Sequence, residues 1–150
     1  MNGTLVFYLV LSVVVGALGA IHVPINGALG ARIQSTLVAT LIFYGVAFLT
    51  IITLTALTAD RSAFRALPDV PAWYLVLPGL ISVAVVSGHT FLIPRFGAIN
   101  VFVVAVFAQT AVRVVISHFG WFESPVDPIS VQKLAGAGMV ALGSVFVVRS

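Results

Sequence analysis

Five long apolar stretches constrain this chain more than anything else in it: Thr4 to Ile21, Thr36 to Leu57, Trp73 to Leu92, Asn100 to His118 and Val131 to Val148. Apart from Arg113, every charged residue lies in the gaps between them or at their mouths. Each stretch holds about 18 to 22 residues, which as a helix rising 1.5 Å per residue spans the roughly 30 Å of a bilayer hydrocarbon core. With 61% hydrophobic and 7% charged residues over 150 positions, the chain has too little polar surface to cover a soluble globule. Lipid is therefore the expected solvent for most of it.

The spans are expected to be helices, not strands of a barrel. A barrel strand alternates lipid-facing and lumen-facing residues, whereas Val101 to Phe107 is apolar on every side. A helix also satisfies its own backbone groups, which hydrocarbon demands. The alternative reading of the first stretch as a secretory signal rests on the small residues Ala17, Gly19 and Ala20. Met1 to Thr4 carries no Lys or Arg and so lacks the positive leader segment such signals need. The expectation is one transmembrane domain over residues 1–150.

Connections are read from turn chemistry. The first runs through Asn26, Gly27 and Gly30 to Ser35; the second, Ala59 to Pro71, holds Asp60, Arg61, Arg65, Pro68 and Asp69. The third is a tight turn, Pro94-Arg95-Phe96-Gly97, and the fourth, Phe119 to Ser130, holds Glu123, Pro125, Asp127 and Pro128. Trp73 with Tyr74 and Trp121 with Phe122 mark headgroup levels, where amphipathic rings are favoured. Kinks are expected at Pro24 and Pro78.

Five spans place the amino terminus and the second and fourth connections on one face of the membrane, and the first and third connections and the carboxyl terminus on the other. The first face carries Arg61, Arg65 and Lys133; the second carries Arg32, Arg95 and Arg149. Orientation follows the Lys and Arg bias near span ends, and here that bias is roughly nil, only four against three if Arg113 snorkels to the first face. One dominant determinant could still fix a single orientation; the sharper reading is insertion both ways round.

Chemistry-bearing residues are few. Asp60, Asp69, Glu123 and Asp127 all lie in connections, so the spans hold no carboxylate of the kind that exchanges a proton for a cation. Nothing places a nucleophile beside a base or forms a phosphate-cradling loop, so no enzyme and no cofactor is expected. Seven scattered cations without a basic run give no nucleic-acid footprint. The candidate polar lining is Gln109 and Arg113, with Ser117 following at the same helical spacing, together with His22, Asn26 and His89. Arg113 either faces a protein-lined cavity or snorkels to the headgroups. In the cavity reading it favours an anionic or zwitterionic substrate, because a buried cation repels another. His22 and His89, with Asn26 one turn beyond His22, could meet between the first and third helices or simply form an interhelical polar contact. A metal site joining His22, His89 and His118 is not expected, since His118 belongs to the opposite membrane face. Ala137, Ala141 and Ser144 form a small-residue stripe for close helix packing on the fifth span.

Four segments carry a family resemblance: His22-Val-Pro-Ile-Asn26-Gly-Ala-Leu-Gly30, Trp73-Tyr-Leu-Val-Leu-Pro-Gly79-Leu, Ile93-Pro-Arg95-Phe-Gly97-Ala, and Gln109 followed by His118-Phe-Gly120. They resemble the YdcZ-like family of small bacterial inner-membrane proteins within the drug/metabolite transporter superfamily. The resemblance implies an all-α bundle of five transmembrane helices equivalent to half of an inverted-repeat transporter, needing a second copy in the opposite orientation. Two positions depart from the family pattern: His22 where a glutamine is usual, and Ser117 where an acid is usual. The resulting expectation is a small-molecule transporter of the bacterial inner membrane, working as an antiparallel homodimer with its substrate between subunits. The alternative is a non-transporting subunit of a heteromeric membrane complex.

Overall fold

The computed structural model describes residues 2–59 and 61–150, with the Arg61 side chain outside the description. The protein is 88% helix, and no strand occurs among the described residues, which excludes a barrel built from them. The helices are α1 (Gly3–Arg32), α2 (Thr36–Thr58), α3 (Ala72–Phe96), α4 (Ala98–Phe119) and α5 (Val131–Arg149), with a 3-10 helix over Arg61–Asp69 and a short one over Trp121–Glu123. All five α-helices are long and apolar enough to cross a membrane. Most of their large apolar side chains stay uncovered by the chain itself, as expected where lipid is the solvent.

Spans α2, α4 and α5 fall where the apolar stretches place them. Two expectations need correction. The first connection does not run through Asn26, Gly27 and Gly30: α1 continues past Pro24 and through these residues to Arg32, and the chain turns only over residues 33–35. Its 30 residues correspond to about 45 Å, well beyond a hydrocarbon core. The glycines that read as a turn serve close helix approach instead. A Cβ on Gly30 would sit 3.0 Å from Thr90 Cγ2 and 3.6 Å from Ala39 Cβ. Likewise Pro94 lies inside α3, and the third connection shrinks to Gly97, whose φ of 84° suits a residue without a side chain. Asp60 lies outside the described residues, so its expected place in the second connection is not described. Most of that connection is the 3-10 helix, with Phe64 and Leu67 exposed beside Arg65, a composition suited to the headgroup boundary.

Helix ends are closed by side chains and left-handed residues. Ser35 and Ser130 cap α2 and α5, accepting from Val38 N and Lys133 N at 3.3 Å each. Gly120, at φ 65°, ends α4 with its N–H on Ile116 O. Hydroxyls that face the apolar surroundings bond back into their own helices: Ser12 to Tyr8 O, Thr50 to Val46 O and Thr53 to Leu49 O, at 2.8 to 2.9 Å.

The chain divides into two compact units, residues 1–95 and 96–150. Burial in the first is concentrated at one end of its helices, around Val23, Asn26, Gly27, Gly30, Ala39, Thr40, Thr90 and Ile93. In the second, α5 lays its small-residue stripe on α4. Ser144 is buried and donates to Val103 O at 2.9 Å as well as to Val140 O, with Ala137 and Ala141 half-buried on the same side. The stripe thus packs within one chain.

Candidate functional site

In the first unit, α3 presents Ser82, Ser87 and Thr90 to its neighbours. Asn26 of α1 donates to Thr90 Oγ1 at 2.7 Å, and both residues are buried. Ser87 donates to Thr40 of α2 at 3.4 Å, and Tyr44 of α2 shares a 2.5 Å hydrogen bond with Ser82. Three polar contacts therefore fasten α3 to α1 and α2. Each contact satisfies groups that hydrocarbon would leave unpaired.

The residues expected here are placed as follows. Asn26 joins α1 to α3, so its amide is committed to Thr90. His22, one turn earlier, stays exposed and stacks on Phe43 of α2, with ring centroids 5.4 Å apart and planes 22° apart; its Nδ1 lies 3.3 Å from Leu18 O. His89, half-buried, directly precedes Thr90 on α3. Asn26 thus reaches α3 while the His22 ring rests against α2. At the end of this polar ladder a cleft of about 390 Å³ opens, lined by Gly30, Gln34, Ser35, Thr36, Thr90 and Arg95 among others. Arg95 is tied to its own helix, donating to Phe91 O at 2.6 Å with its guanidinium carbon 3.8 Å from the Phe91 ring centre.

The second unit holds Gln109 and Arg113, both exposed on α4. Arg113 lines a cleft of about 240 Å³ with Thr110, Val114 and Ser117 of α4 and with Asp127 and Lys133. Gln109 is not part of its lining. The connection after α4 folds back to make this cleft: Asp127 N donates to Ser117 O at 2.8 Å, and Ile129 N donates to His118 Nδ1 at 3.1 Å. Nδ1 of His118 therefore acts as an acceptor, which gives it a structural task in the loop. Lys133 forms an ion pair with Asp127 and also reaches the carbonyls of Asp127 and Pro128. No cluster of three His, Asp or Glu side chains able to hold a metal ion occurs among the described residues.

Sequence reasoning missed Thr40, Tyr44, Ser82, Ser87 and Thr90. A signal existed: Thr40 and Tyr44 are one helical turn apart, and Ser87 and Thr90 share a turn. It also missed Asp127 and Lys133 as neighbours of Arg113, because they approach it only through the fold of the 124–130 loop.

A family model described as "Putative inner membrane exporter, YdcZ" matches residues 7–146. No curated protein and no solved structure is significantly similar to the chain.

Proposed function

We propose that this chain, which belongs to the YdcZ family of inner membrane exporters, moves a small molecule by alternating access as an antiparallel, dual-topology homodimer. Family membership and five apolar helices make it a multi-pass inner membrane protein, and the family is one of exporters rather than of enzymes. The dimer and its site are our extension.

One observation carries that extension. Arg32, Arg95 and Arg149 stand in the last turns of α1, α3 and α5, while Arg65 and Arg61 lie in the second connection and Lys133 in the first turn of α5. Alternation of five spans would put three cations near span ends on each membrane face, which supports insertion in both orientations. Two oppositely inserted five-helix copies would supply the pseudo-symmetric halves that inverted-repeat transporters build within one chain.

The substrate site we propose lies between the subunits near the midplane, with His22, Asn26, His89, Gln109 and Arg113 as its polar candidates. The exposed rings and amide of His22 and Gln109 have hydrogen-bonding groups to offer, whereas Asn26 has its carbonyl oxygen left after donating to Thr90. Arg113 is the cation farthest from any span end, which supports an anionic or zwitterionic substrate. Fusing a cytoplasm-active and a periplasm-active reporter to the carboxyl terminus tests the arrangement. Substantial signal from both is expected; signal from one alone removes the antiparallel homodimer.

A further inference from the structure

The cleft around Arg113 has a charge arithmetic of its own. Three formal charges line it: Arg113 and Lys133 positive, Asp127 negative. Lys133 has three donors, and they meet the Asp127 carboxylate, Asp127 O and Pro128 O. That cation is neutralised and its hydrogen-bonding capacity used. Arg113 has neither an ion-pair nor a hydrogen-bond partner among the described residues, so its planar fork of donors is open and carries the net single positive charge of the cleft.

The hydroxyls differ in the same way. Thr110 donates to Val106 O at 2.7 Å and can only accept from a ligand. Ser117, half-buried one turn beyond Arg113, keeps its hydroxyl proton available. An occupant thus meets two donors, the Arg113 guanidinium and the Ser117 hydroxyl. The Asp127 carboxylate, whose side chain is 66% exposed, stands at the margin and repels a second negative charge. The volume, about 240 Å³, is below the roughly 300 Å³ at which pockets begin to enclose whole drug-sized ligands. The depth also fits: Arg113 precedes the end of α4 by six residues, about 9 Å along the axis, and the aromatic residues Trp121 and Phe122 follow immediately.

We infer that the cleft of Arg113, Ser117, Thr110, Asp127 and Lys133 binds one monoanionic oxyanion group, a phosphodiester or carboxylate, seated on the Arg113 fork with a hydrogen bond from Ser117. Two sources present this chemistry: the phosphodiester of a lipid headgroup, or an acidic group on the exported solute. The solute source rests on the proposed exporter reading; the lipid source does not. All the lining residues lie within residues 96–150 of one chain, so the site stands or falls independently of the antiparallel dimer.

The test uses the full-length protein in a neutral detergent at pH 8, with binding measured calorimetrically. The probes are dioctanoyl phosphatidylglycerol, dimethyl phosphate as the same monoanion without tails, acetate, and inorganic phosphate as the dianion. One site per chain is expected for phosphatidylglycerol. Arg113→Met should weaken it about tenfold or more, as loss of a charged hydrogen bond implies. Arg113→Lys should fall between, keeping charge without the fork. Asp127→Asn raises the net charge to two and should strengthen inorganic phosphate relative to dimethyl phosphate, a gain that no folding defect imitates. Binding of phosphatidylglycerol alone assigns the lipid source; comparable saturation by dimethyl phosphate or acetate, abolished by Arg113→Met, assigns the solute source. Binding of every probe unchanged by Arg113→Met, or an Asp127→Asn variant with no altered preference for the dianion, overturns the inference.

Discussion

Thr90→Val isolates the contact that ties α3 to α1. Thr90 is 1% exposed and Asn26 5%, and the 2.7 Å hydrogen bond between them is buried. Valine keeps both branches on Cβ, including the methyl that fills the space left by Gly30, so the substitution opens no cavity and removes only the hydroxyl that accepts from Asn26. The Asn26 amide is then left unpaired. A buried unsatisfied donor costs about 1 to 3 kcal/mol in water-soluble proteins, while interhelical contacts measured in membrane proteins average about 0.6 with a maximum near 1.7. Near-complete burial argues for the upper part of the membrane range, so about 1 to 1.5 kcal/mol is expected. Asn26→Ala should cost less through the lost hydrogen bond, because the orphaned Thr90 hydroxyl can turn back to the carbonyl one turn earlier, as Thr50, Thr53 and Thr110 do. Equilibrium unfolding in mixed micelles, run on both single variants and the double variant, gives the coupling energy. Additivity within about 0.3 kcal/mol, or a Thr90→Val variant as stable as the parent, would refute the reasoning.

Three further outcomes follow from the second unit. Ala141→Leu adds bulk on the α5 side whose Ser144 already donates to Val103 O and should cost about 1 to 3 kcal/mol, read as a lower melting temperature in detergent; an unchanged profile would mean that this position faces lipid. Gly120→Ala places a Cβ 2.7 Å from Val126 Cγ2 at a φ of 65° and should destabilise by about 1 kcal/mol or more, an effect that Val126→Ala in the same chain should partly reverse. The protein contains no cysteine, so single variants Gln109→Cys, Arg113→Cys and Ser117→Cys should react with water-soluble thiol reagents while Ala111→Cys and Val115→Cys react poorly. Equal labelling around α4 would remove its polar face from any water-accessible site.

The spans were legible because hydropathy and length alone decide what crosses a bilayer. Span ends were less so. Asn26, Gly27 and Gly30 have turn composition, yet within a membrane helix small residues serve approach, and the Thr90 methyl occupies what a Gly30 side chain would take. Pro94 read as a turn residue but is carried inside α3, whose last turns precede Gly97. The 3-10 helix at Arg61–Asp69 gave no advance signal beyond its length. At the site level, Arg113 and Ser117 could be paired from their spacing and do line one cleft. Asp127 and Lys133 could not, since the Asp127 N–H on Ser117 O depends on a loop whose Phe122 and Glu123 adopt positive φ values of 58° and 60°. The hydroxyl ladder was hidden for the same reason: single Ser and Thr residues in membrane spans usually bond to their own backbone, and only the packing of α3 shows which ones reach across.

Antiparallel pairing is the central claim, and biased variants test it most directly. Ala63→Lys with Ser124→Lys loads one membrane face, and Gln34→Lys with Ser150→Lys loads the other; each pair should force a single orientation. The two forms, carrying different affinity tags, would be expressed alone and together, and pairing measured by co-purification in mild detergent. Each form alone should fail to self-associate, and the two together should co-purify at about the level of the parent protein. Self-association of either biased form at parental strength would contradict the account.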